Sequence, residues 1–484
     1  MMPALHSALG WLSAPVSNAP LVLFRWMFGA ALAVFAVLRF QKKVLFYGHP
    51  YLHVGFEATF RFLKPLRRTG MRVVYVIEVL AAMALCVGWL HPWAAALIFL
   101  TKTYTLLIES AEVNNHDYLI CLLLFLYIVI DADHLQLVPY WQVLIIQLQV
   151  VLVYFFGGVA KINSDWLLRA MPFAQSLGGA KVKKGIPFLA PRRVPSARLA
   201  AWLTKGAHDP RLPFFFCWSG MAFDLVIGFA LMTPKAVVFA LVPFLAFHLF
   251  NHWYFGLGIF PWLNYASVAL FTHPNAYRPE LAQNATDSGA QVANAMGGGT
   301  WGVYFFVAYM AVQIIVPLRR YVFAYLLHPG KVYIHCQRSA HFSWTMKLIS
   351  KVGYQFDIEL FDRRTGAVIK KLDIFFLKDH VFMPSLIHTM RLASAALVMI
   401  KALDHVFVKE VPQGTDFGVH LRMVVAYNGR APFRIVNPTV DLRSEKVRLF
   451  GTNRWQYFSP QEGEWSTNPL SSRPVSAKSG SSTS

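Results

Sequence analysis

A series of apolar stretches runs through the chain, and no other sequence feature constrains its fold as strongly. Most are about as long as the helix that crosses the hydrocarbon core of a bilayer. They lie near residues 21–40, 72–89, 93–109, 117–130, 142–160, 214–233, 236–251, 255–272 and 301–316. Hydrophobic residues make up 56% of the 484 residues and charged residues only 14%, a balance too apolar for a soluble globular protein. We therefore predict a membrane all-α bundle of about nine transmembrane helices.

The formal net charge is +21, and the basic residues gather in particular connections between the apolar stretches. Segments 41–71 and 161–213 and the pair Arg319 and Arg320 are rich in basic residues, whereas 90–92, 131–141 and 233–235 hold almost none. Because basic loops stay in the cytoplasm, this alternation predicts a multi-pass protein of the bacterial inner membrane whose C-terminal domain is cytoplasmic. No zinc, RNA-binding or helix-turn-helix signature accompanies the charge, so we expect the lipid bilayer, and no nucleic acid, as a partner.

The composition changes after residue 317, where alternating apolar and polar residues replace the long apolar runs. The pattern predicts strands at 331–336, 355–361, 367–373, 417–427 and 432–442, a turn at 362–366 and a helix over 385–403. We interpret residues 1–20 as an N-terminal segment, 21–317 as the membrane domain, 318–467 as a small α+β soluble domain and 468–484 as a disordered tail rich in Ser and Gly.

Lys161 directly follows the apolar stretch 142–160, with Asp165 and Trp166 close behind. A lysine at a helix end ordinarily extends to the headgroups, and a neighbouring tryptophan ordinarily belongs to the interfacial belt. A functional interpretation competes with this one, because partial burial disfavours the ammonium form and would let Lys161 act as a base. Asp165, one helical turn on, would favour the charged form unless it is engaged by another group.

Two further polar clusters are predicted to lie at the same membrane face as Lys161, given the alternation of the loops. They are Asn114, Asn115 and His116 in one connection, and His248, Asn251 and His252 at the end of a later stretch. Amides beside an imidazole suit an uncharged or weakly acidic ligand. His248 and His252 are spaced to ligate zinc or iron, but no acidic residue stands at matching spacing, so we prefer an interpretation without metal. Together these residues predict a pocket in the membrane domain, covered by the soluble domain.

Four carboxylates stand in or near the apolar stretches, where an unpaired charge is costly. They are Glu78, Glu109, Glu112 and Asp224, and the cations available to pair with them include Arg25, Arg39 and Lys102. Each carboxylate is either a proton-path residue or a structural partner, and for Asp224 we favour the structural role. In the soluble domain, residues 341–344 with Lys347 form either a docking edge that faces the membrane or an aromatic packing cluster.

Several motifs, taken in order, resemble those of one family. They are Leu23–Gly29, Asn114–Leu119 followed by Asp131–His134, Tyr154–Trp166, and Phe247-His248 followed by Asn251, Phe255 and Phe260. They resemble the horizontally transferred transmembrane (HTTM) domain of vitamin K-dependent γ-glutamyl carboxylases. The resemblance covers roughly residues 20–320 and continues more loosely through Ser343-Trp344 and Asp362–Ala367.

The resemblance implies a membrane lyase that oxidises reduced vitamin K, or a related naphthohydroquinone, with O₂ and adds CO₂ to a glutamate of a peptide or protein. The family's base for the hydroquinone falls on Lys161, and its histidine for carboxylation falls on His116. We therefore predict Lys161 and His116 as catalytic residues, and no metal. The predicted residues for binding quinol or substrate are Asn114, Asn115, His248, Asn251, Asp165 and Trp166.

The chain also departs from the family pattern. Ala160 replaces the first lysine of the family's Lys-Lys pair. The predicted soluble domain is smaller than that of animal carboxylases and is predicted on the cytoplasmic rather than the lumenal side. An alternative function is therefore a non-catalytic or transport-like protein that binds a quinone or lipid in the same pocket. A metal-dependent lipid hydroxylase ranks last, since the several histidine boxes of such enzymes are missing.

Overall fold

The fold consists of a helical part followed by a small sheet domain. The computed structural model describes residues 10–47, 52–53, 63–109, 113–132, 134–171, 173–174, 211–272, 301–322, 342–346, 348–381, 386 and 393–446. The predicted strand at 331–336, the linker near 273–300, Glu112 and the tail lie outside these residues.

The helical part has ten α-helices among the described residues. They are α1 Ala19–Tyr47, α2 Arg68–Val87, α3 His91–Ile108, α4 Asn115–Val129, α5 Tyr140–Lys161, α6 Ser164–Arg169, α7 Arg211–Met232, α8 Val237–Phe255, α9 Phe260–Ser267 and α10 Trp301–Tyr321. A short antiparallel pair, β1 Pro15–Ser17 and β2 Leu137–Pro139, joins the start of α1 to the start of α5. Of the described helices, six are long and apolar enough to cross a membrane, namely α1, α2, α5, α7, α8 and α10.

The number of predicted crossings, about nine, is therefore not confirmed, and the stretch 255–272 shows why. Gly256 and Gly258 have positive φ angles of 59° and 61°, which end α8 and break the apolar run. The chain resumes as α9 and a 3₁₀ turn, Val268–Phe271, which pack against α1, and the turn also contacts α5. Gln147 of α5 donates to the carbonyl of Leu270 at 2.7 Å, so this broken segment packs inside the bundle although it is too short to span alone.

Close backbone contact between α5 and α7 organises the centre of the bundle. A Cβ on Gly158 would lie 2.8 Å from the backbone nitrogen of Leu225, and a Cβ on Gly228 would lie 3.1 Å from the Cα of Val151. Small residues let membrane helices approach in this way, where lipid supplies no hydrophobic drive for association. The approach brings the middle of α7 against the C-terminal turns of α5.

Arg25 of α1 is a buried cation, with 1% of its surface exposed, and it ties three segments together. Its guanidinium donates to the carbonyls of Leu85 at 2.5 Å and Cys86 at 2.9 Å, at the end of α2, and to that of Ala132 at 2.7 Å. The last carbonyls of a helix have no partner within it, so Arg25 supplies the missing donors. Gly88 leaves room for this contact, since a Cβ there would lie 2.6 Å from Arg25 Nη2.

We expect Arg25→Met to lower the free energy of unfolding by about 3 kcal/mol, because it leaves buried carbonyls without donors. The measurement is thermal unfolding of the detergent-solubilised protein. Arg72→Met, at an exposed position of α2, is the matched control and should change the melting temperature little. Equal melting temperatures for the two variants would contradict this role of Arg25.

The C-terminal part forms a four-stranded antiparallel sheet with the order β4-β3-β5-β6. Its elements are β3 Lys351–Asp362, β4 Val368–Leu372, α11 Ile374–Lys378, α12 Ala393–Ala402, α13 Asp404–Phe407, β5 Phe417–Tyr427 and β6 Phe433–Arg434. The predicted small sheet domain is thus present, but the strand predicted at 432–442 was wrong beyond residue 434. Pro438 lacks a donor, and the Asp441 carboxylate, rather than a further strand, accepts from the Val419 amide at 2.9 Å.

An aromatic segment of the C-terminal part enters the helical bundle. Phe342 and Trp344 lie 4.6 Å and 5.0 Å, centroid to centroid, from the ring of Tyr118 in α4, and Trp344 belongs to the bundle core. Both have positive φ angles, 62° and 55°, a strained conformation for residues with side chains. These contacts make Phe342 and Trp344 part of an aromatic packing cluster, the second of the two interpretations, while His341 and Lys347 lie outside the described residues.

Candidate functional site

Lys161, the last residue of α5, forms a buried ion pair with Asp224 of α7. Its Nζ donates to Asp224 Oδ2 at 2.5 Å and to the carbonyl of Gly157 at 3.0 Å, and only 7% of the lysine is exposed. Lys161 therefore does not extend to the headgroups. The structural interpretation of Asp224 named the wrong cations, since its partner is Lys161 rather than Arg25, Arg39 or Lys102.

Gly157 makes room for this pair and for the segment that covers it. A Cβ at residue 157 would lie 3.2 Å from Asp224 Oδ2 and 3.5 Å from the terminal methyl of Met346. Met346 belongs to residues 342–346, the segment that also places Trp344 in the bundle. We call these residues the covering segment, because Met346 lies over the turn of α5 that carries the Lys161–Asp224 pair. Burial of this kind removes water, which strengthens electrostatic interactions at the pair.

A hydrogen-bonded network lies two turns earlier on α5, around Tyr154. Tyr154 donates its hydroxyl proton to Asn264 Oδ1 at 2.5 Å, and Asn264 is oriented by donating to the Phe260 carbonyl at 2.7 Å. A hydroxyl has one proton, so the 2.6 Å contact to His248 Nε2 requires that nitrogen to donate. In neutral His248 the other nitrogen, Nδ1, is then an acceptor, and it is buried with no hydrogen-bond partner among the described residues.

Aromatic rings connect this network to Asp224 and to His116. Phe223, next to Asp224, has its ring centroid 6.2 Å from that of Tyr154. On the other side, Phe260 lies 5.8 Å from the His248 ring and stacks on the His116 ring at 4.6 Å. His248 and His116 are thus joined through Phe260, while Tyr154 contacts Phe223, the residue before Asp224.

The amides beside His116 have a local structural role. Asn114 is the N-cap of α4, and its Oδ1 accepts from the backbone amides of His116 at 2.9 Å and Asp117 at 3.0 Å. Its side-chain amide donates to the Asp117 carboxylate at 2.6 Å. Asn114 therefore fixes the start of the helix that carries His116. Asn115 is the first residue of α4 and is half-buried.

His248 and His252 diverge although they are one turn apart on α8. His248 contacts Tyr154, whereas the His252 ring lies 5.8 Å from that of Trp262. Asn251 lies between them in sequence and is buried. Within the described ranges, no group of three or more His, Cys, Asp or Glu side chains is arranged to hold a metal ion.

Asp165 was predicted to bind ligand, but it joins the helical part to the sheet domain. Its carboxylate accepts from Arg430 at 2.6 Å, from Arg169 at 3.0 Å and from Asn428 Nδ2 at 3.0 Å. Asn428 also bonds the amide of Ser350, so the contact continues to the segment that carries Met346. These contacts engage both carboxylate oxygens of Asp165. Lys161 therefore pairs with Asp224 and not with Asp165.

Trp166, also predicted to bind ligand, is buried beneath the lysine. Its indole nitrogen donates to the carbonyl of Cys217 in α7 at 2.6 Å, and Lys161 Nζ lies 5.5 Å from its ring. A cation at that distance is attracted to the face of the ring. Trp166 therefore positions Lys161 and α7.

Sequence reasoning missed the proton partner of Lys161 and the contacts of the covering segment. The available signal was a carboxylate in the middle of an apolar stretch, which requires a cation nearby. Lys102 pairs with Glu78 at 2.8 Å, and Glu109 pairs with His53 at 3.1 Å. Once those pairs are formed, Lys161 is the natural partner for Asp224.

This arrangement is suited to proton transfer in a dry environment. If the shared proton lies on Asp224, Lys161 is a neutral amine able to accept a proton from a weak acid. His248 Nδ1 offers a second acceptor, and the aromatic cluster around it suits a flat apolar ring. The sequence contains no nucleophile-elbow motif and no phosphate-binding loop motif. The site therefore favours proton abstraction over hydrolysis or phosphoryl transfer.

Residues 13–275 match the family model of the HTTM domain, which covers more than half of the chain. The chain belongs to the HTTM family. Residues 299–462 match the model named vitamin K-dependent gamma-carboxylase, lumenal domain, so the resemblance drawn from the motifs is confirmed. This HTTM protein is a multi-pass, carboxylase-like membrane protein. No solved structure matches the chain.

Proposed function

We propose that this HTTM protein is a membrane enzyme that oxidises a naphthohydroquinone such as reduced vitamin K with O₂ to the epoxide. The observation that carries the proposal is the buried Lys161–Asp224 pair, joined by a 2.5 Å hydrogen bond beneath the covering segment. Asp224 takes the shared proton of the pair, and the neutral Lys161 amine then accepts a proton from a quinol hydroxyl. The aromatic rings near His248 hold the apolar ring of the quinol, and its hydroxyl groups bond to buried acceptors.

Coupling to glutamate carboxylation is the second half of the proposal. The overall reaction converts quinol, O₂, CO₂ and a glutamate C–H group into epoxide, γ-carboxyglutamate, water and one released proton. His116 is placed at the edge of the aromatic cluster by the Asn114 cap and by stacking on Phe260. In this position it supports the carboxylation half of the reaction, while the covering segment keeps water from the basic species.

An alternative is supported by the same pair. A buried lysine paired with a carboxylate also occurs as a purely structural ion pair, which has no role in catalysis. On that interpretation the protein binds a quinone or lipid without converting it, and the aromatic cluster provides the binding surface. The two functions differ in whether quinol is consumed.

The deciding experiment is an epoxidation assay on purified, detergent-solubilised wild-type protein given reduced vitamin K. Oxygen-dependent formation of the epoxide, absent under argon, is the expected result. Labelled bicarbonate and a glutamate peptide then test for coupled carboxylation. If the folded protein binds the quinol but forms no epoxide, the enzyme proposal is wrong and the binding function replaces it.

The side of the membrane on which the sheet domain lies belongs to this proposal as well. The basic pair Arg319 and Arg320 at the end of α10 favours the cytoplasm of a bacterial inner membrane. The name of the second family model instead refers to a lumenal domain. We expect protease to cleave the sheet domain in inverted membrane vesicles and to leave it intact in right-side-out vesicles. The reverse pattern would place it outside the cytoplasm.

A further inference from the structure

The helical part contains a second buried polar cluster, built by α1 to α4 and separate from the Lys161–Asp224 pair. Glu78 of α2 and Lys102 of α3 form an ion pair at 2.8 Å. They line a cavity of about 40 Å³ together with Asp117 of α4. The other titratable or charged side chains that line it are Tyr75 of α2 and Arg39, Lys43 and Tyr47 of α1.

Glu78 is the residue that indicates what fills this cavity. Only 4% of its surface is exposed, and its Oε2 has no hydrogen-bond partner in the part of the chain that the structure describes. A buried carboxylate oxygen is costly without a donor. One water needs about 10–15 Å³ of such space, so the cavity has room for two or three waters that could supply the missing donors.

The cavity adjoins the histidine end of the candidate site. Asp117, which lines the cavity, follows His116 directly and is bonded to the Asn114 cap at 2.6 Å. Ile259 lines the cavity as well, and the next residue, Phe260, stacks on the His116 ring. The lining also includes Arg39, an exposed residue of α1 whose guanidinium lies beside Gly258, two residues before Phe260. The cavity lining thus includes both the residue that follows His116 and a residue at the surface of the helical part.

We propose that Glu78, Lys102 and Asp117 form a hydrated proton-transfer site that carries protons between the His116 side of the candidate site and bulk water. The ligand is water and the proton it carries. Glu78 accepts the excess proton from a protonated cavity water and returns it to a second cavity water, so that only the proton moves. The proposal rests on the proposed function, because quinol oxidation coupled to carboxylation releases a proton that must leave a dry site.

The test is an infrared titration of the resting, membrane-reconstituted protein without quinol. We expect a carboxylic acid band that appears on acidification, shifts in D₂O within the mixing time, and disappears in Glu78→Gln. Glu359→Gln, which alters a buried carboxylate paired with Lys371 and Arg422 in the sheet domain, is the matched control and should retain the band. A Glu78 band that stays unshifted in D₂O for hours, or no band that depends on Glu78, would overturn the proposal.

A second arm measures turnover. We expect Glu78→Gln to lower epoxidation coupled to carboxylation by about 100-fold with the KM for quinol unchanged, and to increase the solvent isotope effect. The double variant Glu78→Gln/Lys102→Gln removes both charges, so it guards against loss of folding from an unpaired lysine. Full turnover with an unchanged isotope effect in a folded variant would refute the proton-transfer role. Absence of epoxidation in the wild type would contradict the proposed function instead, and the infrared result would still decide whether the site is hydrated and titrates.

Discussion

Lys161→Ala is expected to lower the rate of oxygen-dependent quinol epoxidation by about a thousandfold, the range seen when a general base is lost. With the shared proton of the pair on Asp224, the Lys161 amine is the member of the pair that accepts a proton from the quinol. Binding of the quinol should persist, because the aromatic cluster that holds its ring is unchanged. The measurement is epoxide formation under saturating quinol, with quinol affinity measured separately.

Asp224→Asn provides a matched test of the same pair. The amide keeps the shape of the side chain but cannot take up a proton, so we expect about a 100-fold loss of turnover. The double variant Lys161→Ala/Asp224→Ala should be no less active than Lys161→Ala alone, since residues that act as a unit are not additive. If Lys161→Ala retains wild-type turnover, the pair is structural and the base lies elsewhere.

Asp165→Asn is expected to release the covering segment and destabilise the protein by about 3 kcal/mol, because the buried carboxylate would no longer compensate the charges of Arg430 and Arg169. The carboxylate holds Asn428, and Asn428 holds Ser350, so the segment with Met346 loses its anchor to the helical part. Faster cleavage near residues 342–350 under limited proteolysis, together with a raised KM for quinol, is the expected outcome.

Two variants make this test specific. Lys370→Gln breaks an ion pair with Glu410 on the sheet surface and should change stability by no more than about 1 kcal/mol. Arg430→Met combined with Asp165→Asn removes both charges across the contact and should recover part of the lost stability. Unchanged proteolysis in Asp165→Asn would show that Asp165 does not anchor the segment.

The sequence predicted the parts of the fold that depend on local composition. Transfer of an apolar stretch into lipid is favourable whatever its neighbours are, so the predicted stretches coincide with helices except at 255–272, where two glycines break the run. The strand at 417–427 and the turn at 362–366 were predicted within a residue, because alternation and turn chemistry are local as well. Lys161 was identified for the same reason, as a charge placed where an apolar stretch ends.

The partners of those residues could not be read from the sequence. Asp224 is 63 residues from Lys161, and their contact exists only because Gly158 and Gly228 let α5 and α7 pack with touching backbones. Likewise, Asp165 has a carboxylate that would suit a ligand, and only the packing of the sheet domain, 265 residues further on, assigns it to Arg430.

The sequence by itself determined that this chain is a membrane protein of the HTTM family with a small sheet domain, and it predicted Lys161, His116 and His248 as site residues. Hydrophobic transfer and short motifs are properties of neighbouring residues, so they are visible without a fold. Tertiary structure alone decided which charges compensate each other, which nitrogen of His248 accepts a hydrogen bond, and how far the apolar run after α8 extends. Each of these depends on how the helices pack, and the distance between α5 and α7 is set by the close backbone contact at Gly158 and Gly228.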